Sequence, residues 1–251
     1  MHTWHWHYWQ DLPVLKCSLL DSWSHGFFTR HFSPRMPADL VEVLQPEATA
    51  YRVKQVHGNR VLTTTLLQQS DPTQLQQADG LLTTSPSQAV WVASADCVPV
   101  LIADTITRQV AAVHAGWRGT AAKIVPEAVA QFQAQGSQLK DLRIVMGPAI
   151  SGPVYQVATE VAIQLSQTFN PTDSLTQLIQ QPHSPLMADT EPGKIRVDVR
   201  RVNSLQLEQL GITPEQVAVA PQCTYQEPDL FFSYRRDHQK KVQWSGIVSG
   251  E

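Results

Sequence analysis

Between Ala89 and Ala115 three apolar runs, AVWVAS, VPVLIAD and QVAAVHA, follow one another with only a few polar residues between them. Short apolar runs bounded by turn signals read as strands buried on both faces, because neither face offers a side suited to water. A chain that carries three of them in succession must cover them with further layers, so this stretch is the buried heart of the fold.

The flanking sequence supplies the covering elements. Ala121, Val125, Ala128 and Phe132 recur at helical spacing, with Gly136 as the stop. Pro126 requires the regular helix either to start near Val125 or to kink there. LRIVMGP reads as a strand, and Val157, Val161, Leu165 and Phe169 repeat every fourth residue as a second helix. Residues 170–194 hold four prolines and little periodicity, which predicts a loop. Val199, Val202 and Leu205 then suggest a short helix closed by Gly211, followed by final strands in VAVAP and QWSGIVS. Upstream, Trp4, Trp6 and Tyr8 alternate with His5, His7 and Trp9 as in a strand. The segment 33–49 is broken by three prolines, strands are expected around Val53 and Val61 with a turn at Gly58, and 68–77 has the composition of an exposed loop. Helices interleaved with strands predict a mixed α and β fold, and no repeat or composition shift divides residues 1–251, so a single domain is expected.

Composition excludes several classes of function. A net charge of -3 without any run of Lys or Arg leaves no field to gather a phosphate backbone, so nucleic acid is not an expected partner. No window approaches the roughly 18 apolar residues that cross a bilayer. The opening MHTWHWHYWQ lacks the basic start and apolar stretch of a secretory signal. Cys17, Cys97 and Cys223 are an odd number without a CxxC pair, which argues against a disulfide framework and for a reducing cytoplasm. No surplus apolar helix face stands out, so a monomer is expected.

The chemistry concentrates at the ends of the central runs. Cys97 follows Asp96 at the close of one, His114 sits at the end of another, and His57 stands in KQVHGN just before a glycine that permits a tight turn. Ends of neighbouring strands lie side by side, so these three can converge without a local spacing motif. Two imidazoles and a thiolate match zinc, and three protein ligands leave a fourth position for water, whose pKa such a metal lowers to about 7. The residue types leave other readings open: histidines at strand ends as hydrogen-bonded structural residues, Cys97 as a buried thiol, or Cys97 and a histidine as nucleophile and base. Arg118, near the start of a helix, is a candidate for an anion, and Gln55 and Asp96 are candidates to orient water or substrate beside the ligands. Arg235 and Arg236 could contact substrate or pair with Asp237. His5 and His7 share a strand face with no third ligand nearby and read as structural, and Cys223 reads as a buried thiol.

Taken in order, KQVHG, ADGLLTTSP, SADCVPVLIAD, VAAVHAGWRG, GPAI with Tyr155, and CTY with FFSYRRD resemble the bacterial laccase-domain family, also called polyphenol oxidase or peptidoglycan editing factor. Its animal members are multifunctional purine nucleoside enzymes. The resemblance runs from about Tyr51 to Gly250. It implies a layered α/β/β/α sandwich and a zinc held by His57, Cys97 and His114. It also implies adenosine deamination and phosphorolysis of adenosine, inosine, guanosine and methylthioadenosine, with a purine nucleoside and phosphate as substrates. Near the N-terminus, HGFFTRHFSPRMP keeps His25, Gly26, Thr29 and Arg30 of the family pattern but lacks its glycine-rich stretch, and Val154 and His238 replace a Cys and a Gly. Copper fits less well than zinc, because the nine histidines are scattered and no His-Cys-His motif is present. An amidase acting on peptidoglycan precursors and a non-catalytic binding protein are the remaining alternatives.

Overall fold

The computed structural model describes residues 2–71 and 74–250. Two six-stranded sheets face each other. The first orders its strands Trp4–Trp9, Leu12–Cys17, His25–Phe28, Gln243–Val248, Gln88–Ser94, Thr49–Tyr51. The second runs Val217–Val219, Leu142–Met146, Val98–Asp104, Val110–Ala115, Gly80–Leu82, Val61–Thr63. A small three-stranded sheet of Gln156–Ala158, Lys194–Val197 and Leu186–Ala188 sits apart from both.

Strand alternation explains the layers. In Val98–Asp104, Val100 and Ile102 pack with Val125, Val129 and Phe132 of helix Ile124–Ala134 and with Val202 and Leu207 of helix Val199–Gln209. The residues between them, Leu101 and Ala103, belong instead to the inter-sheet core with Val90, Val92, Phe27 and Ile247. On the far side of the first sheet, Val14, Phe28, Trp91 and Trp244 meet Leu40 and Val41 of helix Pro37–Leu44. Adjacent residues of one strand thus serve opposite cores. The order is helix, sheet, sheet, helix, the mixed layered α/β/β/α architecture that the motifs imply. Among the described residues no helix is long and apolar enough to cross a membrane.

Several expectations are refined. Lys123, in the left-handed region at φ 59°, separates helix Trp117–Ala121 from Ile124–Ala134, so Pro126 falls in a first turn whose amide would have no intrahelical partner. Val157 is a strand residue paired with Ile195, and the second helix spans only Thr159–Ser166, although Phe169 still packs on the same core. The expected loop over 170–194 contains helix Leu175–Gln180, begun by a Ser174–Gln177 capping box, and strand Leu186–Ala188. The strand expected around Val53 spans Thr49–Tyr51, with an isolated bridge from Lys54 to Gln77 beyond it, and the chain from Val56 to Gly58 is held by a side chain instead.

Candidate metal centre

That side chain is Asp79. It directly precedes strand Gly80–Leu82, whose antiparallel register against Val110–Ala115 sets Gly80 opposite Val113 and therefore Asp79 opposite His114. The His114 amide donates to the Asp79 carbonyl at 2.7 Å, and the ring Nδ1 meets Asp79 Oδ1 at 2.9 Å. The same carboxylate accepts the amides of Val56 at 3.2 Å, His57 at 2.9 Å and Gly58 at 2.7 Å. One fully buried side chain therefore fixes a loop that carries one histidine and the ring of another. With the Nδ1 proton directed at Asp79, His114 is left with Nε2 as its free ligating atom.

Cys97 occupies the turn between Gln88–Ser94 and Val98–Asp104, and the pairing of Val98 with Ala115 brings it beside Gly116. A Cβ on Gly116 would stand 2.9 Å from Cys97 Sγ and 3.4 Å from His57 Cδ2, so glycine is what leaves room for the cluster. The ligating atoms of His57, Cys97 and His114 all lie within 4.8 Å of one another, and no other such group of His, Cys or carboxylates occurs among the described residues. The two imidazoles meet edge to face with centroids 4.8 Å apart. His57 is exposed, Cys97 half-buried and His114 buried, so the cluster opens to solvent on the His57 side.

Electrostatics suit a cation held in the middle. Burial would raise the Cys97 thiol, but His114 and His57 outweigh it and pull the thiol well below its ordinary value. Burial would also lower His114, yet Cys97 and Asp79 drive it upward. Asp79, likewise penalised by burial, is held below the usual carboxylate range by hydrogen bonds from His114 and Gly58. Two imidazole nitrogens, a thiolate and a supporting carboxylate form a donor set that fits zinc.

Beside Cys97 lies a recess walled by Val98, Trp117, Ile150, Tyr155 and Val199, with about 30 Å³ of open space, room for one or two waters. A nucleoside cannot be engulfed there and would have to lie across the mouth. Asp96, strained at φ 92°, ties the recess together: its carboxylate accepts the Thr224 hydroxyl and the Arg235 amide, both at 2.7 Å, and its carbonyl accepts Ile150 N at 3.0 Å. Asp96 thus braces the turn before Cys97.

The other sequence candidates divide. Arg118 is exposed, with its guanidinium 4.3 Å from the Trp117 ring centroid. The Gln55 amide nitrogen donates to Ala93 O at 2.8 Å and its oxygen accepts Ala93 N at 2.7 Å, so it extends the edge of strand Gln88–Ser94. Arg236 pairs with Asp237 and donates to the carbonyls of Thr224, Tyr225 and Phe231, a structural clamp. Cys223 is buried and accepts the Ser151 amide. Asp79 was present in ADGLLTTSP without an assigned role; its signal was an acidic residue at the start of a strand between the KQVHG and VAAVHAG segments.

A family model described as multi-copper polyphenol oxidoreductase laccase matches residues 37–248. A Synechocystis protein named purine nucleoside phosphorylase is 52% identical over 255 residues, covering 96% of each chain. A Haemophilus influenzae protein of the same name is 34% identical over 200 residues, covering 80% of this chain and 74% of its own. Among solved structures, YlmD from Geobacillus stearothermophilus superposes with a TM-score of 0.83 at 26% identity, over 98% of this chain and 99% of that one. The Bacillus licheniformis protein YfiH gives 0.79 at 25% identity, over 95% and 96%.

Proposed function

The chain belongs to the multi-copper polyphenol oxidoreductase laccase family, and from that premise we propose that it is a zinc-dependent purine nucleoside phosphorylase that also deaminates adenosine. The observation that carries this reading is the convergence of His57, Cys97 and His114, with Asp79 fixing the tautomer of His114. The relatives named purine nucleoside phosphorylase supply the substrate class, a nucleoside and phosphate, and the nucleosides proposed are adenosine, inosine, guanosine and methylthioadenosine. We place the enzyme in the cytoplasm as a monomer that binds no nucleic acid.

In this mechanism His57, Cys97 and His114 would hold the metal, which when bound would supply Lewis-acid chemistry. Asp79 keeps the proton on His114 Nδ1 and holds the His57 loop in register. Cys97 contributes its ligand atom as thiolate, the form its two imidazole neighbours favour. Trp117, Ile150 and Val199 give the recess apolar walls, and the flat purine lies across its mouth. Arg118 lends positive charge to the phosphate side of the reaction.

A test is to incubate purified wild type and His114→Ala, each with metal content determined, with adenosine and phosphate while following adenine, inosine and hypoxanthine. Zinc near one per chain, with adenine and inosine formed by wild type alone, is expected. Stoichiometric copper with oxygen consumption on a phenol would overturn the zinc reading. A second reading draws on the depressed thiol of Cys97 beside His114, the pairing found in cysteine hydrolases. It makes the protein an amidase on peptidoglycan precursors. Amide cleavage by metal-free protein, blocked by a thiol alkylator, would favour it over the nucleoside enzyme.

A further inference from the structure

Two arginines bracket the recess beside Cys97, and each lies on an aromatic side chain that lines it. Arg118 Cζ is 4.3 Å from the Trp117 ring centroid, and Arg235 Cζ is 4.9 Å from that of Tyr155. Arg235 is anchored close to the cluster, since its amide donates to Asp96, the residue before Cys97. Its guanidinium makes one hydrogen bond, from Nη1 to Gln156 O at 2.8 Å, and no ion pair among the described residues. Arg118 makes neither among the described residues. The contrast with Arg236, whose guanidinium meets three carbonyls and Asp237, is sharp: of two adjacent arginines, one is built into the fold and the other keeps donors to offer. Trp117 and Tyr155 both line the recess, so the two guanidiniums that lie over them stand at one rim.

We propose that Arg235 and Arg118 form a clamp that holds inorganic phosphate over the Tyr155 hydroxyl, with Arg235 as the principal phosphate ligand. The assignment rests on the phosphorolytic reading above and deepens it. A guanidinium held over an aromatic ring has its fork of donors restrained, which suits a tetrahedral oxyanion. Tyr155, kept as a neutral phenol, can donate a third hydrogen bond. Asp96 already accepts the Thr224 hydroxyl and the Arg235 amide, which fix its carboxylate in place. In the reaction, a phosphate oxygen forms the bond to ribose C1′ as the C1′–N9 bond breaks. The electron pair leaves with N9 of the base, which then takes up a proton, giving ribose 1-phosphate and free purine.

The test measures inorganic phosphate binding by calorimetry, and KM for phosphate and for inosine separately, in wild type, Arg235→Gln and Arg235→Lys with zinc content matched. Expected for Arg235→Gln is at least a tenfold rise in the phosphate Kd and in the phosphate KM, an unchanged inosine KM and an unchanged melting temperature, with Arg235→Lys between the two. An unchanged phosphate Kd, or an equal rise in both KM values, overturns the clamp. If wild type binds phosphate and Arg235→Gln does not, yet no nucleoside is cleaved, the clamp stands and the phosphorolytic reading fails. Wild type that binds no phosphate removes the clamp outright.

Discussion

His25 and His114 are buried to the same degree, 1% and 3% exposed, in different parts of the sandwich, and their protonation is driven in opposite directions. His25 has only backbone partners: Nε2 accepts the Cys17 amide at 3.0 Å and Nδ1 donates to Trp23 O at 3.0 Å. Both nitrogens are used by a neutral ring, and burial takes its pKa down to about 4. His114 faces a carboxylate on one side and a thiol on the other, and these overcome the same burial and raise it. Burial sets what a charge costs, and the partners decide whether that cost is met. One histidine is therefore a fastener of the N-terminal strands and the other the centre of a reactive cluster.

The largest break in this comparison comes from His114→Ala, which should remove stoichiometric zinc and nucleoside turnover together; elemental analysis showing full metal would end the assignment. Next is acid sensitivity at His25. Its folded pKa near 4 lies below the ordinary imidazole value of 6.5, so between these values the unfolded chain binds more protons. Its contribution is complete above pH 6.5 and is lost as the pH falls to 4, by about 3 kcal/mol in all. Urea unfolding of wild type and His25→Gln across that window should show the steeper decline in wild type, and parallel curves would contradict it. Asp79→Asn weakens the acceptor behind His114 and should lower zinc affinity by about 10–100-fold, read by competition with a chelating dye. An affinity within twofold of wild type would reduce Asp79 to a loop tether. The smallest effect belongs to Gly116→Ala, whose new methyl would stand 2.9 Å from the Cys97 sulfur and must displace it. A several-fold loss of zinc affinity with little change in melting temperature is expected, whereas equal affinity would mean the cluster is looser than its geometry.

How much of this was legible in the chain depends on the distance over which each signal acts. The three central strands could be read because VPVLIAD and its neighbours are apolar on both faces, and the structure buries both. His57, Cys97 and His114 were legible through the motifs that surround them, not through spacing. The role of Asp79 was not, since its bonds to His57 and His114 span 22 and 35 residues and depend on a strand register that no local pattern encodes. Helix Leu175–Gln180 escaped for the opposite reason: six residues are too few to display a period, although Ser174 and Gln177 spelled its start. In helix Val199–Gln209 the inward face includes Gln206, whose amide nitrogen donates to the Thr120 carbonyl and the Thr168 hydroxyl, where apolar spacing had pointed to Leu205. A polar residue reads as exposed until its buried partners are known.

The strand Gln243–Val248 lies between His25–Phe28 and Gln88–Ser94, joining halves of a sheet that have no other ladder between them among the described residues. The Gln88 amide bonded to Ser249 Oγ crosses 161 residues of sequence. On the ribosome the first sheet therefore waits as two unjoined edges until its central strand emerges, long after both flanks have been made. Such non-local closure makes folding slow and leaves open edges to be shielded meanwhile, so the nascent chain should depend on chaperones far more than the finished protein.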